Sequence, residues 1–460
     1  MINLEQAAKV LNATLVGENV LFTSVGTDSR QIKAGQLFVA LKGEKFDGHA
    51  YAEQALKEGA AAIMVQADCV AQDSLSTALV VADTYQALGQ LASYWRDQLD
   101  CPVIGVTGSN GKTTVKEMLA SVLKANCQHD EPVLATVGNL NNHIGVPLTL
   151  FNMTANHAYA VVEMGMNHSG EIRYLTRIAK PNVVVINNAG SAHLGELGSY
   201  EAIAQAKGEI IEGVAEAGTV VLNADDRFYP MWKSLAGNKK IITFGVNQAS
   251  DVTASYQLNA SNSDMQIKTP LGEVSVCLPS PGLHNVMNAL AATACAVAVN
   301  VSLDAIKQGL AGFVGAKGRL QYHVGCNGAV VIDDTYNANP SSMKAAVDVL
   351  KQHHGKTMLV LGDMGELGDD EKAMHAEVGL YAKAAGIHHL YTLGNLSQEI
   401  TRAFGEGATH FIELSALIAT IKQLVQADTM ILVKGSRFMA MERVVQQLIQ
   451  QQENAKVEAH

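Results

Sequence analysis

Thr107-Gly108-Ser109-Asn110-Gly111-Lys112-Thr113-Thr114 follows the apolar run Val103-Ile104-Gly105-Val106 and precedes a helical pattern whose apolar stripe is Val115, Met118, Leu119, Val122 and Leu123. A buried strand that enters a glycine-rich turn and leaves as a helix is the local plan of a phosphate-binding loop. Glycines let backbone N–H groups close on phosphate oxygens, the helix N-terminus adds positive potential, and the lysine brings charge toward the β and γ phosphates. The usual spacing places a glycine at position 106, where Val106 stands with Gly105 one place early, so the loop is a variant. All eight residues, Thr107 to Thr114, are expected to bind ATP.

Outward from this loop the pattern alternates. Apolar strand-like runs at 158–163, 183–187, 219–223 and 241–244 are separated by helical stretches, which implies a mostly parallel sheet covered by helices on both faces. Residues 251–278 switch to period-two alternation with Asn, Ser and Gly breaks, as in a small antiparallel excursion, and helix returns at 286–299. Upstream, an amphipathic helix over 1–15, a strand at 35–41, a helix at 50–58 and a buried strand at 61–65 suffice for a small α/β domain. Downstream of Gly318-Arg319, strands at 329–333, 358–361, 390–393 and 430–433 and a final helix with Val444, Val445, Leu448 and Ile449 suggest a Rossmann-like unit without a dinucleotide fingerprint. The fold class expected is therefore α/β with three domains, 1–87, 88–315 and 316–460, the central one a P-loop parallel-sheet ATPase domain. The glutamine-rich stretch 446–452 reads as the polar face and frayed end of the last helix.

Composition sets limits on function. The 460 residues, 48% hydrophobic and 17% charged, can bury several cores. A formal net charge of -11 argues against a general nucleic-acid or acidic-membrane binder, since either needs a basic face. Anionic ligands must then be held locally by backbone amides, a few cations and metal. Cys69, Cys101, Cys127, Cys277, Cys295 and Cys326 have neither a CxxC pair nor zinc spacing, so most are expected to be buried thiols in a reducing compartment. The first 15 residues lack the features of a signal peptide, and the apolar stretch 289–299 falls short of the roughly 20 residues that span a bilayer. A soluble cytoplasmic protein is expected.

Around the loop, T-G-x-x-G-K-T-T after a strand resembles the Mur ligases and the related folylpolyglutamate synthases, and further motifs follow in order over nearly the whole chain. Thr27-Asp28-Ser29-Arg30, then Gly35-Gln36-Leu37-Phe38-Val39-Ala40-Leu41-Lys42-Gly43 and Asp47-Gly48, resemble the uridine-nucleotide-binding domain of the ligases that add the third and later residues. The resemblance makes Ser29, Arg30, Lys42, Gly43, Asp47 and Gly48 UDP contacts; on residue type alone, Asp28 and Arg30 equally form a turn and ion pair. Glu163 at a strand end and His193 in the loop Asn187-Asn188-Ala189-Gly190-Ser191-Ala192-His193 match the family's magnesium positions, joined by Thr113. Lys207 resembles the lysine that the family carries as a carbamate, an oxygen ligand for Mg2+; without the family it is an ordinary exposed helix lysine. Asn139, Asn141 and Asn142 resemble the asparagine element near the phosphates. Asn285 and Asn288, one helical turn apart, match the segment that reads adenine, with helix capping the plainer reading of Asn285. Arg319 stands at the second domain boundary, and Asp334 matches the ribose-binding acid.

Within the family, Leu361-Gly362-Asp363-Met364-Gly365-Glu366-Leu367-Gly368 with His375, and Lys434-Gly435-Ser436-Arg437, look like the branch that adds D-alanyl-D-alanine; the Asp-Asn-Pro-Arg element of the diaminopimelate-adding branch is absent. Tyr336, Asn337, Asn339, Ser341 and Lys434 are then acceptor-side residues. The resemblance implies a monomeric ligase, independent of nucleic acid and membrane, using ATP and Mg2+ to join D-alanyl-D-alanine to UDP-N-acetylmuramoyl-tripeptide through an acyl phosphate. Lys112, Glu163, His193 and Lys207 would be its catalytic set. The alternatives are another Mur ligase, a folylpolyglutamate synthase, or a P-loop nucleotide-binding regulator without ligase activity.

Overall fold

The computed structural model describes residues 1–69, 76–127, 132–191 and 193–449; Ala192 of the histidine loop and 450–452 of the glutamine-rich stretch lie outside the described residues. The helix expected over 1–15 is shorter. It spans Leu4–Leu11, begins at an Asn3 capping box and ends at Asn12 in the left-handed conformation. Thr14–Val16 is instead a strand, pairing antiparallel with Ala78–Val81. The remaining strands of this first sheet, Ala62–Gln66, Gln36–Val39 and Ser24–Gly26, follow in that order and are parallel. The helical stretch expected at 50–58 is a 3-10 turn, Gly48–Tyr51, leading into helix Ala52–Lys57.

The central sheet has six parallel strands in the order Lys240–Phe244, Thr219–Asn223, Val183–Ile186, Val103–Thr107, Tyr159–Glu163, Val133–Ala135. The strand that feeds the phosphate loop lies between later strands on both sides, so the chain reverses its direction of travel across the sheet there. Ligands of open α/β sheets bind outside the strand carboxyl ends at such a point. The register brings Val106 beside Glu163 and Thr107 beside Ile186, which sets Glu163 and Asn187 on the two flanks of the loop. The antiparallel excursion is a three-stranded sheet, Thr253–Leu258, Ser263–Thr269 and Gly272–Leu278.

In the third sheet, Val330–Asp334, Thr429–Lys434, Lys356–Gly362, His389–Leu393 and Ala408–Phe411 are parallel, and Gln321–Val324 adds an antiparallel edge. The two outer strands, 321–324 and 408–411, were not expected from sequence: both are short, and their burial is only partial. The last helix is Glu442–Leu448, with Gln446 and Gln447 exposed on it.

The helix Thr84–Asp97 runs across the division expected at 87/88. Its Leu88 and Leu91 belong to one apolar cluster that also holds Leu37 and Leu79 of the first sheet and Val103, Val162 and Val184 of the central one. Arg96 of this helix donates to Ala179 O at 3.1 Å, and Trp95 Nε1 donates to Met153 O at 3.1 Å. The first two sheets therefore share a core, while the two faces of the third sheet form clusters of their own. All six cysteines are free, but only Cys101 and Cys295 are buried, fewer than expected; Cys277 is exposed because its strand turns that face to solvent.

Candidate active site

Gly111 caps the helix Lys112–Asn126 with φ +79°, and a Cβ there would stand 2.2 Å from Asn288 Oδ1 and 2.5 Å from Asn187 Nδ2. Only glycine fits both the backbone and the space. The loop is braced from the neighbouring strand end: Ser109 N–H donates to Asn188 O at 2.9 Å, Asn110 N–H to Asn188 Oδ1 at 2.8 Å, and Asn187 Nδ2 to Asn110 O at 3.0 Å. Asn187 Nδ2 also donates to Asn288 Oδ1, and Asn288 Nδ2 to Asn285 Oδ1. Asn285 is not the helix cap, which is Gly282; its amide reaches back to Ser280 Oγ and Pro281 O, both at 2.9 Å. Sequence reasoning missed the brace Asn187-Asn188, for which a pair of asparagines just past a buried strand is the available signal.

A cavity of about 860 Å3 opens at this point, its walls drawn from the central and third sheets. Lys112, Glu163, His193, Arg319, Asp334 and Lys434 all line it, as do Asn139 and Asn141. Cations and anions thus converge in a protein of negative net charge. Burial pushes the Lys112 ammonium down, and the Glu163 carboxylate opposes that shift. Lys112 Nζ donates to Gly108 O at 2.7 Å. The third domain reaches the loop directly: Asn339 Nδ2 donates to Asn110 Oδ1 at 2.7 Å and Asn110 Nδ2 to Ser341 Oγ at 2.9 Å. Asn339 and Ser341, expected on the acceptor side, therefore also touch the phosphate loop. Arg319 donates to Thr113 Oγ1 at 3.0 Å and lies 4.1 Å over the Tyr336 ring. Lys434 Nζ bridges Asp334 Oδ2 at 2.7 Å and Asn337 O at 2.8 Å, a nearly buried ion pair set by in-register strands.

Glu163 is 1% exposed. Its Oε1 accepts from Asn141 Nδ2 at 2.8 Å, while Oε2 is buried without a hydrogen-bond partner. Asn142 Oδ1 instead accepts from Ile144 and Gly145 N–H, at 3.2 and 2.9 Å, where the following helix begins, so Asn141 and Asn142 differ in task. His193 has a left-handed backbone, φ 66°, and its Nδ1 stands 2.8 Å from Glu366 Oε2 without hydrogen-bond alignment. Buried polar atoms left unpaired in this way fit a hard cation, with carboxylate oxygen the better donor and imidazole nitrogen a less usual one. Lys207, read alone as an exposed lysine, is 1% exposed on helix Tyr200–Gly208, and among the described residues no carboxylate lies within ion-pair distance. Burial first, and the charge of Lys112 second, push its amine well below the usual lysine range.

None of the residues expected to contact UDP lines this cavity. Arg30 is exposed and held by Asp28 through two hydrogen bonds of 2.9 Å, which lower the Asp28 carboxyl to about 2. Lys42 and Asp47 pair across a short bridge that encloses Gly43, and Gly48 packs on Leu41, where a Cβ would meet backbone at 2.9 Å. Nearby, Asp47, His49 and Cys69 converge within 4.8 Å, but both ring nitrogens of His49 are engaged, Nδ1 with Asp47 and Nε2 with Gln66 N–H.

Known proteins resemble this chain over nearly its whole length. Residues 21–96 match the Mur ligase family, catalytic domain, residues 106–296 the Mur ligase middle domain and residues 318–437 the Mur ligase, glutamate ligase domain. The chain is 44% identical to the UDP-N-acetylmuramoyl-tripeptide--D-alanyl-D-alanine ligase of Escherichia coli, over 97% of this chain and 98% of that one. A crystal structure of MurF from Acinetobacter baumannii superposes with a TM-score of 0.89 at 38% identity, covering 96% of this chain and 97% of that one. MurF ligase from Thermotoga maritima, solved in complex with ADP, superposes with a TM-score of 0.83 at 28% identity, covering 93% and 97%.

Proposed function

The chain belongs to the Mur ligase family, and from that premise we propose that it joins D-alanyl-D-alanine to UDP-N-acetylmuramoyl-tripeptide at the expense of ATP. The observation that carries the reading is near-full-length identity of 44% to a ligase of that name, coupled to a phosphate loop that faces the third domain across one cavity. The ADP-bound relative supports ATP as the nucleotide.

A carboxylate is a poor acyl donor. Transfer of the ATP γ-phosphoryl group to the tripeptide carboxylate gives an acyl phosphate and ADP; the unprotonated amine of the dipeptide then attacks the carbonyl carbon, and the tetrahedral species collapses to amide and phosphate. Backbone N–H groups of Gly111 and Lys112 at the helix N-terminus, and the Lys112 ammonium, are suited to hold the phosphates and offset charge as it develops. Arg319, stacked on Tyr336, is suited to steady the nucleotide, and Asp334, held by Lys434, the ribose. Asn285 and Asn288, fixed in their amide chain, are assigned to the adenine by likeness to the family. Contacts across the central and third domains keep water from the acyl phosphate.

Thr113, Glu163, His193 and a carbamate on Lys207 are the residues that would hold Mg2+, which supplies charge neutralisation on the phosphates when bound. The unpaired Glu163 oxygen and the buried Lys207 amine, pushed well below the usual lysine range by burial, support this set. Ser29, Arg30, Lys42, Gly43, Asp47 and Gly48 are assigned to the UDP moiety, for which exposed Arg30 and Lys42 offer charge. Tyr336, Asn337, Asn339, Ser341 and Lys434 form the acceptor side, and 1–87, 88–315 and 316–460 are the units that divide these tasks. Likeness to the family is the ground for reading the protein as a monomer of the cytoplasm; among the described residues no helix is long and apolar enough to cross a membrane. Phosphate release with ATP, Mg2+ and UDP-muramoyl-tripeptide should require D-alanyl-D-alanine; release driven equally by single amino acids or by a folate substrate would overturn the assignment.

A further inference from the structure

Two of the largest fully buried side chains are lysines, Lys207 and Lys116, and only the first has a part in the chemistry above. Lys116 lies one turn beyond Lys112 on the same helix and has no measurable exposure. Its Nζ donates to Thr136 O at 2.6 Å and stands 2.8 Å from the partly exposed Glu117 carboxylate. Thr136, itself 1% exposed, directly follows the outer strand of the central sheet, Val133–Ala135. Its N–H donates to Val161 O at 3.0 Å, and its Oγ1 accepts the Glu163 N–H at 3.0 Å. Five residues on, Asn141 Nδ2 holds Glu163 Oε1, and Asn141 O accepts from Gly165 N–H at 2.8 Å.

Desolvating an ammonium is costly, and packing alone gives no reason for it, because a methionine fills similar space. The helix that carries the phosphate loop is instead tied by this ammonium to the strand end that orients Glu163. We propose that Lys116 is a positioning residue, which through Thr136 fixes the Glu163 carboxylate relative to the phosphate loop and so tunes the site for its divalent cation. The inference rests on the assignment of Glu163 to the metal.

Mn2+ titrated into the enzyme–ADP complex and followed by electron paramagnetic resonance tests it on folded protein, with steady-state kinetics and melting curves alongside. Glu163→Gln, the control for the underlying assignment, should weaken Mn2+ binding. Lys116→Met should weaken it by about 10-fold or more, the scale on which partners of metal ligands act, and lower kcat while leaving the KM for the dipeptide unchanged. Thr136→Val should do the same and Thr136→Ser should not, because only serine keeps the hydroxyl that receives Glu163 N–H. This pair decides the matter if Lys116→Met fails to fold. The double variant Lys116→Met/Thr136→Val should lose no more than the worse single one, since both cut one connection. Normal Mn2+ binding in Lys116→Met beside a weakened Glu163→Gln overturns the positioning role, as do equal behaviour of the two Thr136 variants or additive losses. Normal binding in Glu163→Gln overturns the metal assignment and the inference with it.

Discussion

Lys112, partly buried, and Lys207, fully buried, stand near one phosphate site, yet their expected contributions have opposite sign. Lys112 acts as a cation against phosphate, so Lys112→Ala should keep the melting curve and lower turnover by at least about 10²-fold, the scale for removing one group that stabilises developing charge. Near-normal turnover at saturating ATP would contradict it. Lys207 is pushed toward its neutral amine, the form that adds carbon dioxide, and a carbamate there turns repulsion from Lys112 into attraction. Lys207→Ala should therefore lose activity that acetate or propionate partly restores, and Lys207→Arg should stay inactive, since guanidinium cannot become an oxygen ligand. A fully active Lys207→Arg variant, or no carbamate signal in the native enzyme under labelled bicarbonate, would contradict the role. That Glu163 and His193 line the cavity was legible from their order after the phosphate loop. The burial of Lys207 was not, because its helix also carries Glu201 and Gln205, and nothing in that spacing says which face is covered.

The helix that carries the loop shows what periodicity can and cannot reveal. At about 100° per residue, Lys116 falls beside Leu119 and Leu123, on the edge of the apolar stripe, a position from which periodicity decides neither its burial nor its partner Thr136. The same helix packs on Leu303–Ala311 through Gly309, where a Cβ would meet Val122 Cα at 2.3 Å and Val122 N at 2.6 Å. Backbone cannot yield as a side-chain tip can. Gly309→Ala should destabilise by about 1–3 kcal/mol, the usual scale of overpacking, read as a lower melting temperature; an unchanged melt would show that the two helices separate freely. Long strands and helices were legible because their apolar runs are continuous. The edge strands 321–324 and 408–411 were not, since partly buried edges lack both a continuous apolar run and strict alternation.

At the scale of the whole molecule, the first two sheets share a core and the third stands on its own, meeting the phosphate loop through Asn339, Ser341 and Arg319. The sequence pattern suggested three α/β units but not this unequal partnership, which depends on where helix Thr84–Asp97 packs. Deleting residues 316–460 should thus leave a folded protein that binds the UDP substrate and makes no amide; dipeptide-dependent product from that truncation would reject the division of labour. The central claim is that the tripeptide carboxylate is activated by phosphoryl transfer and then captured by the dipeptide. UDP-muramoyl-tripeptide labelled with 18O in that carboxylate, incubated with the enzyme, ATP, Mg2+ and D-alanyl-D-alanine, should give a product heavier by the dipeptide residue, with one labelled oxygen carried into inorganic phosphate and the other kept in the new amide; phosphate free of label, or no dipeptide in the product, would contradict the account.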